Sequence, residues 1–180
     1  KTIGEKGKEK GQFYYPKALA KDSKGNIYVA DCWNHRIQKF SADLGFIKAF
    51  GSYGEKEGQF NEPYDIAIDK KDRLFVVDRC NHRIQVFDSD EKFLYYFGQR
   101  GTILEEELAW FYETPKELFS APAFEFPSKI ALDSKENLYI VDSGNCRIQK
   151  LSLSGEIISS FGEKGEEKEI VYETKQNVTA

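Results

Sequence analysis

Methionine is absent from this chain, and histidine occurs only twice in its 180 residues. Because the sequence opens at Lys1, either an initiator has been removed or these residues belong to something longer. Cysteine occurs three times, as Cys32, Cys80 and Cys146. An odd number without a C-x-x-C pair argues against a disulfide framework and against a structural zinc site. No apolar run approaches the roughly 18 residues of a membrane-spanning helix, and the first residues form no signal peptide. The residues read as a soluble chain whose compartment is left open. Neither sign of charge dominates: 26 basic and 30 acidic side chains leave a net charge of −4. Such a balance does not favour indiscriminate nucleic-acid binding, although it leaves room for a local basic face. What remains is ordinary globular material, 40% hydrophobic and 31% charged, enough for one domain with a sizeable core.

The chain repeats itself. "DCWNHRIQKF" at 31–40, "DRCNHRIQVF" at 78–87 and "DSGNCRIQKL" at 142–151 align without gaps. Each is preceded by an alternating run ("NIYVA", "RLFVV", "NLYIV") and, further upstream, by "PKALAKD", "PYDIAID" or "PSKIALD". Each is followed by a run ending in Phe-Gly, and the connectors "GEKGKEKGQF" and "GSYGEKEGQF" also match. Arg36 and Arg83 are 47 positions apart, Arg83 and Arg147 are 64 apart, and the excess of 17 falls between Gly98 and Pro127. Every unit holds four short runs rich in Ile, Val, Phe and Tyr, bounded by Gly, Asn and Asp. In the middle unit they cover about 64–69, 73–78, 83–88 and 93–97. Short connections favour antiparallel neighbours, and a four-stranded sheet repeated every forty-odd residues is the signature of a propeller blade.

These motifs resemble the NHL repeat: G-Q-F, P-x-x-I-A-x-D, G-N-I-Y-V-A-D, N-H-R-I-Q-x-F and F-G in order. The resemblance implies an all-β fold, a β-propeller of NHL type. Three four-stranded antiparallel blades are present, half of a six-bladed ring, with a short helical insertion. The expected divisions are 1–11 (tail of a preceding repeat and connector), 12–51, 52–98 and 126–162 (repeats), 99–125 (insertion) and 163–180 (degenerate next repeat or tail). Three blades leave a ring unclosed, so the chain is expected to be part of a longer protein or to close a ring as a homodimer. The first of these is favoured.

The histidine-containing motif is read as scaffold, because a reaction needs one asymmetric constellation rather than a copy in each blade. Asp31, Asn34, His35 and Arg36, with Asp78, Asn81, His82 and Arg83, and with Asp142, Asn145 and Arg147, are assigned to a repeated turn. Asp, Asn and His side chains hold tight reversals through backbone hydrogen bonds, and each Arg is placed to pair with its Asp. Buried, such a pair costs ~3–5 kcal/mol to break from one side; exposed, ~0.2–1 kcal/mol. Arg83→Ala is therefore expected to lower the melting temperature far more than it weakens any ligand, and an unchanged melting curve would refute this. The cysteines, sharing no slot, are read as incidental thiols.

Function is sought where the repeat varies. The turn after each Asp and the inter-blade loop are expected on one face, which carries Trp33, Tyr15, Tyr64, Arg79, Lys17 and Lys129. Lys17, Asp65 and Lys129 are read as the first-strand positions nearest the channel. The insertion suggests two short helices, capped at Thr102 with Glu105 and at Thr114-Pro115. "NVT" at 177–179 is a glycosylation sequon of a kind common by chance. The reading adopted is a non-catalytic interaction scaffold for a protein or peptide partner, with no catalytic residue, metal or cofactor assigned and no membrane role. The alternative is a single-stranded RNA-binding NHL propeller. Less favoured is a lyase-type NHL enzyme, because that resemblance implies channel histidines and both histidines here sit in the repeat slot.

Overall fold

The computed structural model describes residues 3–101 and 122–162. The capped helices, the tail strand and the sequon lie outside these residues.

Three four-stranded antiparallel sheets follow one another, each a meander in sequence order. The first holds β1 (Pro16–Lys21), β2 (Ile27–Asp31), β3 (Arg36–Phe40) and β4 (Phe46–Phe50). The second holds β5 (Pro63–Ile68), β6 (Leu74–Asp78), β7 (Arg83–Phe87) and β8 (Phe93–Phe97). A short parallel pair, β9 (Gln99–Arg100) and β10 (Ala123–Phe124), joins the two ends of the long connector. The third sheet holds β11 (Pro127–Leu132), β12 (Leu138–Asp142), β13 (Arg147–Leu151) and β14 (Ile157–Phe161). The four runs expected in the middle unit are its four strands, displaced by about one residue at some ends.

Burial shows how the sheets pack. Every residue of β6 and β7 is buried, because the middle sheet has a neighbour on each face. The matching strands β2 and β12 alternate instead, as expected of a sheet with one covered face. One core, including Tyr28, Ile37, Phe60, Ile66 and Val76, lies between the first and second sheets. A second, including Phe75, Val86, Phe124, Ile130 and Ile140, lies between the second and third. The first strands β1, β5 and β11 lie side by side, so the sheets radiate from these strands as blades do. The fold is a β-propeller type of assembly with three blades.

The phenylalanine of each connector seals a seam. The Phe60 ring lies so close to Gly51 that a Cβ there would come within 2.5 Å of it, and Phe124 sits on Gly98 in the same way at 2.6 Å. Both glycines also have a positive φ, +94° and +99°, which a side chain would strain.

Register corrects one expectation. Asp65 and Lys129 pair with Val77 and Val141, at matching positions, whereas the position matching them in the first blade is Ala18, opposite Ala30. Lys17 falls in the irregularity between Pro16 and Ala18, one residue away from the place assigned to it.

Candidate functional site

Each second strand ends in an Asp that organises a polar knot. Asp78 is fully buried. Its Oδ2 accepts from Arg83 Nε at 2.8 Å, Asn81 Nδ2 at 2.9 Å and Gln85 Nε2 at 3.0 Å. Its Oδ1 accepts the backbone N–H of Asn61 at 2.7 Å. The remaining Arg83 nitrogens donate to the carbonyls of Glu55, Lys56 and Gln59. Asp31 with Arg36 and Asp142 with Arg147 repeat the arrangement at 2.7 and 2.8 Å. The expected Asp–Arg pair is therefore buried in all three blades, and it fastens the preceding connector as well as the local turn.

His35 and His82 close that turn in the left-handed region, with φ of 52° and 54°, and Cys146 adopts the same φ of 52°. Each imidazole then reaches the following blade: His35 Nδ1 accepts the N–H of Glu62 and His82 Nδ1 that of Phe126, both at 3.2 Å. An accepting Nδ1 requires a neutral ring, so the 3.6 Å approach of His82 to Glu125 is not an ion pair. Burial holds the His35 pKa below its usual value, against the opposing pull of Glu62 and Asp78. Both histidines are blade-to-blade latches, which sequence reading assigned to the turn but not to the seam.

The thiols are free. Burial, reinforced by Glu62, pushes Cys32 up to about 12 and Cys80 up to about 11, so neither is a ready thiolate nucleophile.

The turn and the inter-blade loop share one face. Trp33 N–H donates to Tyr14 O at 3.0 Å, Arg79 N–H to Glu62 O at 3.2 Å, and Gly144 N–H to Glu125 O at 2.7 Å. Across this face runs a strip in which aromatic rings meet cations. Trp33 packs on Tyr15, centroids 4.2 Å apart, and on Tyr14 at 5.1 Å. The Lys17 ammonium lies 5.9 Å from the Tyr15 ring and 5.1 Å from the Tyr64 ring. Arg79 continues the series over Tyr64 at 5.0 Å and over Phe126 at 5.2 Å. Trp33 and Tyr15 are 44% and 54% exposed, whereas Tyr64 is half-buried and also packs on the core of the second seam.

Five of the six predicted positions thus meet: Trp33, Tyr15, Lys17, Tyr64 and Arg79. Lys129 does not join them through any described contact; its ammonium lies 3.8 Å from Asp65, whose Oδ2 also accepts the N–H of Ile130. Phe126 and Glu62 were not singled out. Tyr15, Glu62 and Phe126 occupy equivalent places, each with φ near +50–60°, and aligning the connector triplets would have flagged them. Glu62 Oε2 lies 3.3 Å from Arg79 Nη1, while Arg79 Nε is buried with no hydrogen-bond partner among the described residues.

A family model described as the NHL repeat matches residues 13–40, 60–87 and 124–151. The chain carries three NHL repeats. Each match runs from the sealing phenylalanine to the end of the third strand, so the knot, the latch and most of the strip belong to the NHL repeats themselves. A comparison with curated protein sequences returned no significant match. Among solved structures, a streptogramin B lyase is 18% identical at a TM-score of 0.57, the alignment covering 82% of this chain and 40% of that one. A catalytically inactive virginiamycin B lyase from Staphylococcus aureus with quinupristin is 18% identical at 0.60, covering 89% and 44%. The WD40 repeats of RRP9 are 15% identical at 0.57, covering 82% and 38%. At these identities the likeness is one of fold, and the NHL repeats span about two fifths of each neighbour's length.

Proposed function

We propose that the three blades are an interaction scaffold that binds a protein or peptide through the strip from Trp33 to Phe126. The observation that carries this reading is the continuity of the strip across three blades, with Trp33 and Tyr15 exposed at one end. Aromatic rings and arginine are the side chains that contribute most at protein interfaces, where they offer large area at small entropic cost. A phosphate backbone asks for unneutralised cations. Here Arg79 is faced by Glu62 and Lys129 by Asp65, which favours a peptide over RNA. Both histidines hold the seams through Nδ1, which leaves the strip as the chemically richest open surface described.

The test is a selection of displayed peptides against the full chain, repeated with Trp33→Ala and Arg79→Gln. The reading expects selected peptides to lose about tenfold or more in affinity to each variant, as hot-spot truncations do, while Trp33→Ala melts within about 0.5 kcal/mol of the parent. Peptides that bind the variants equally well would sink it. Binding of single-stranded RNA that collapses between about 50 and 200 mM salt would assign the strip to nucleic acid instead.

A further inference from the structure

The far face of the third sheet carries, empty, the features that hold the first two seams together. At both internal seams a positive-φ glycine at the end of the fourth strand receives the aromatic ring of the next connector: Phe60 on Gly51 and Phe124 on Gly98. The equivalent Gly162 has φ +98°, and a Cβ there would meet only the backbone of Cys146 and Arg147 and the Arg147 side chain. In place of a ring lies a cleft of about 420 Å³ lined by Val141, Cys146, Ile148 and Phe161. Phe161 is 52% exposed, whereas its counterpart Phe97 in the covered sheet is 8% exposed.

A second feature recurs at the other end of this face. In the first blade Lys39 lies 4.9 Å from the Tyr28 ring, and both side chains bind Glu91, delivered by the outer hairpin of the second blade, at 2.7 and 2.6 Å. In the third blade Lys150 lies 5.3 Å from the Tyr139 ring, which rebuilds the same half-site.

We propose that this face is an inter-blade surface for a fourth NHL-type blade on the same polypeptide, bringing an aromatic ring to Gly162 and a turn carboxylate to Lys150. Continuity with the two seams already present argues for a consecutive blade, since each sealing ring arrives on the connector that leaves the glycine it covers. The first blade of a second copy fits poorly. Its Phe13 already covers its own Gly4, so Ile3-Gly4 stands where Phe161-Gly162 would have to go. Its residue matching Glu91 is Leu44, also at positive φ, which offers Lys150 no charge. This inference is independent of the strip, which lies at the turns.

Cys146 lines the cleft and holds the position at which His82, in a covered seam, is buried. Its reactivity therefore reports the occupant. Protein isolated natively from its source is treated with a maleimide, and labelling is mapped by peptide mass, with native mass spectrometry giving the copy number. The proposal expects one copy, with Cys146 labelled about tenfold or more slowly than in unfolded protein. It also expects Lys150→Glu to restore labelling while Lys135→Glu does not. Continued protection of Cys32, buried in the first sheet, shows that the variant is folded. Labelling of native Cys146 at the unfolded rate overturns the proposal, as does protection found only in a complex of two copies.

Discussion

At the outer end of the first seam, Glu91 is buried beneath Tyr28, Lys39 and Lys48, in hydrogen bonds or ion pairs with all three. At the matching end of the second seam, Gly155 stands in place of Glu91, and Phe75, Val86 and Tyr95 replace the other three. There, Phe75 and Val86 belong to a continuous apolar core, Tyr95 donates to Leu153 O at 3.0 Å, and Gly155 lets its turn press against Phe97. The same strands in the same register are thus joined once by a buried ionic cluster and once by hydrocarbon. The knots at the opposite end of the sheets do not vary in this way. A repeat can exchange its seam chemistry, but only in matched sets, because a lone charge left in the apolar seam would lack a partner.

The largest way to break the comparison is Phe75→Ala. The side chain is fully buried, and truncation should cost ~3–5 kcal/mol, read as a lower denaturation midpoint. An effect below 1 kcal/mol would mean the second seam is not held by packing. Glu91→Gln strikes the polar seam and should cost less, about 2–3 kcal/mol, because one of its cations, Lys48, is 44% exposed and partly screened. A still smaller effect separates the seams by pH. Burial alone would raise the Glu91 carboxyl, but hydrogen bonds from Lys39, Lys48 and Tyr28 outweigh it and hold the pKa below its ordinary value of 4.5. A depressed carboxylate contributes fully above the ordinary value and is lost as pH falls through the folded one. Stability should therefore decline from about pH 4.5 downward, and Glu91→Gln should flatten part of that acid limb. An acid limb unchanged by the substitution would place the titration elsewhere.

Much of this was legible beforehand, for local reasons. Three gapless copies of the Asp-to-Phe motif place four strands per unit, and the alternation and turn residues need no tertiary information to be read. The Asp–Arg pairing is legible because the two residues flank one tight turn, and five of the six strip positions follow from asking which residues the repeat leaves free. Lys129 was grouped with them by strand position, but a one-residue irregularity in β1 places Lys17 with the rings and leaves Lys129 beside Asp65. The latch from His35 to the Glu62 N–H was invisible, since it joins a side chain to backbone 27 residues away in another sheet.

The sequence by itself determined the blade: its strands, its turns, its repeat and the residues free to differ, all set by interactions within about fifty residues. Only the tertiary structure decided what faces what. Whether a lysine meets a carboxylate or a ring, whether a glycine is covered or bare, and whether scattered aromatics form one strip depend on how whole sheets stack. Stacking is set by buried area and by partners distant in sequence, and no local pattern encodes them.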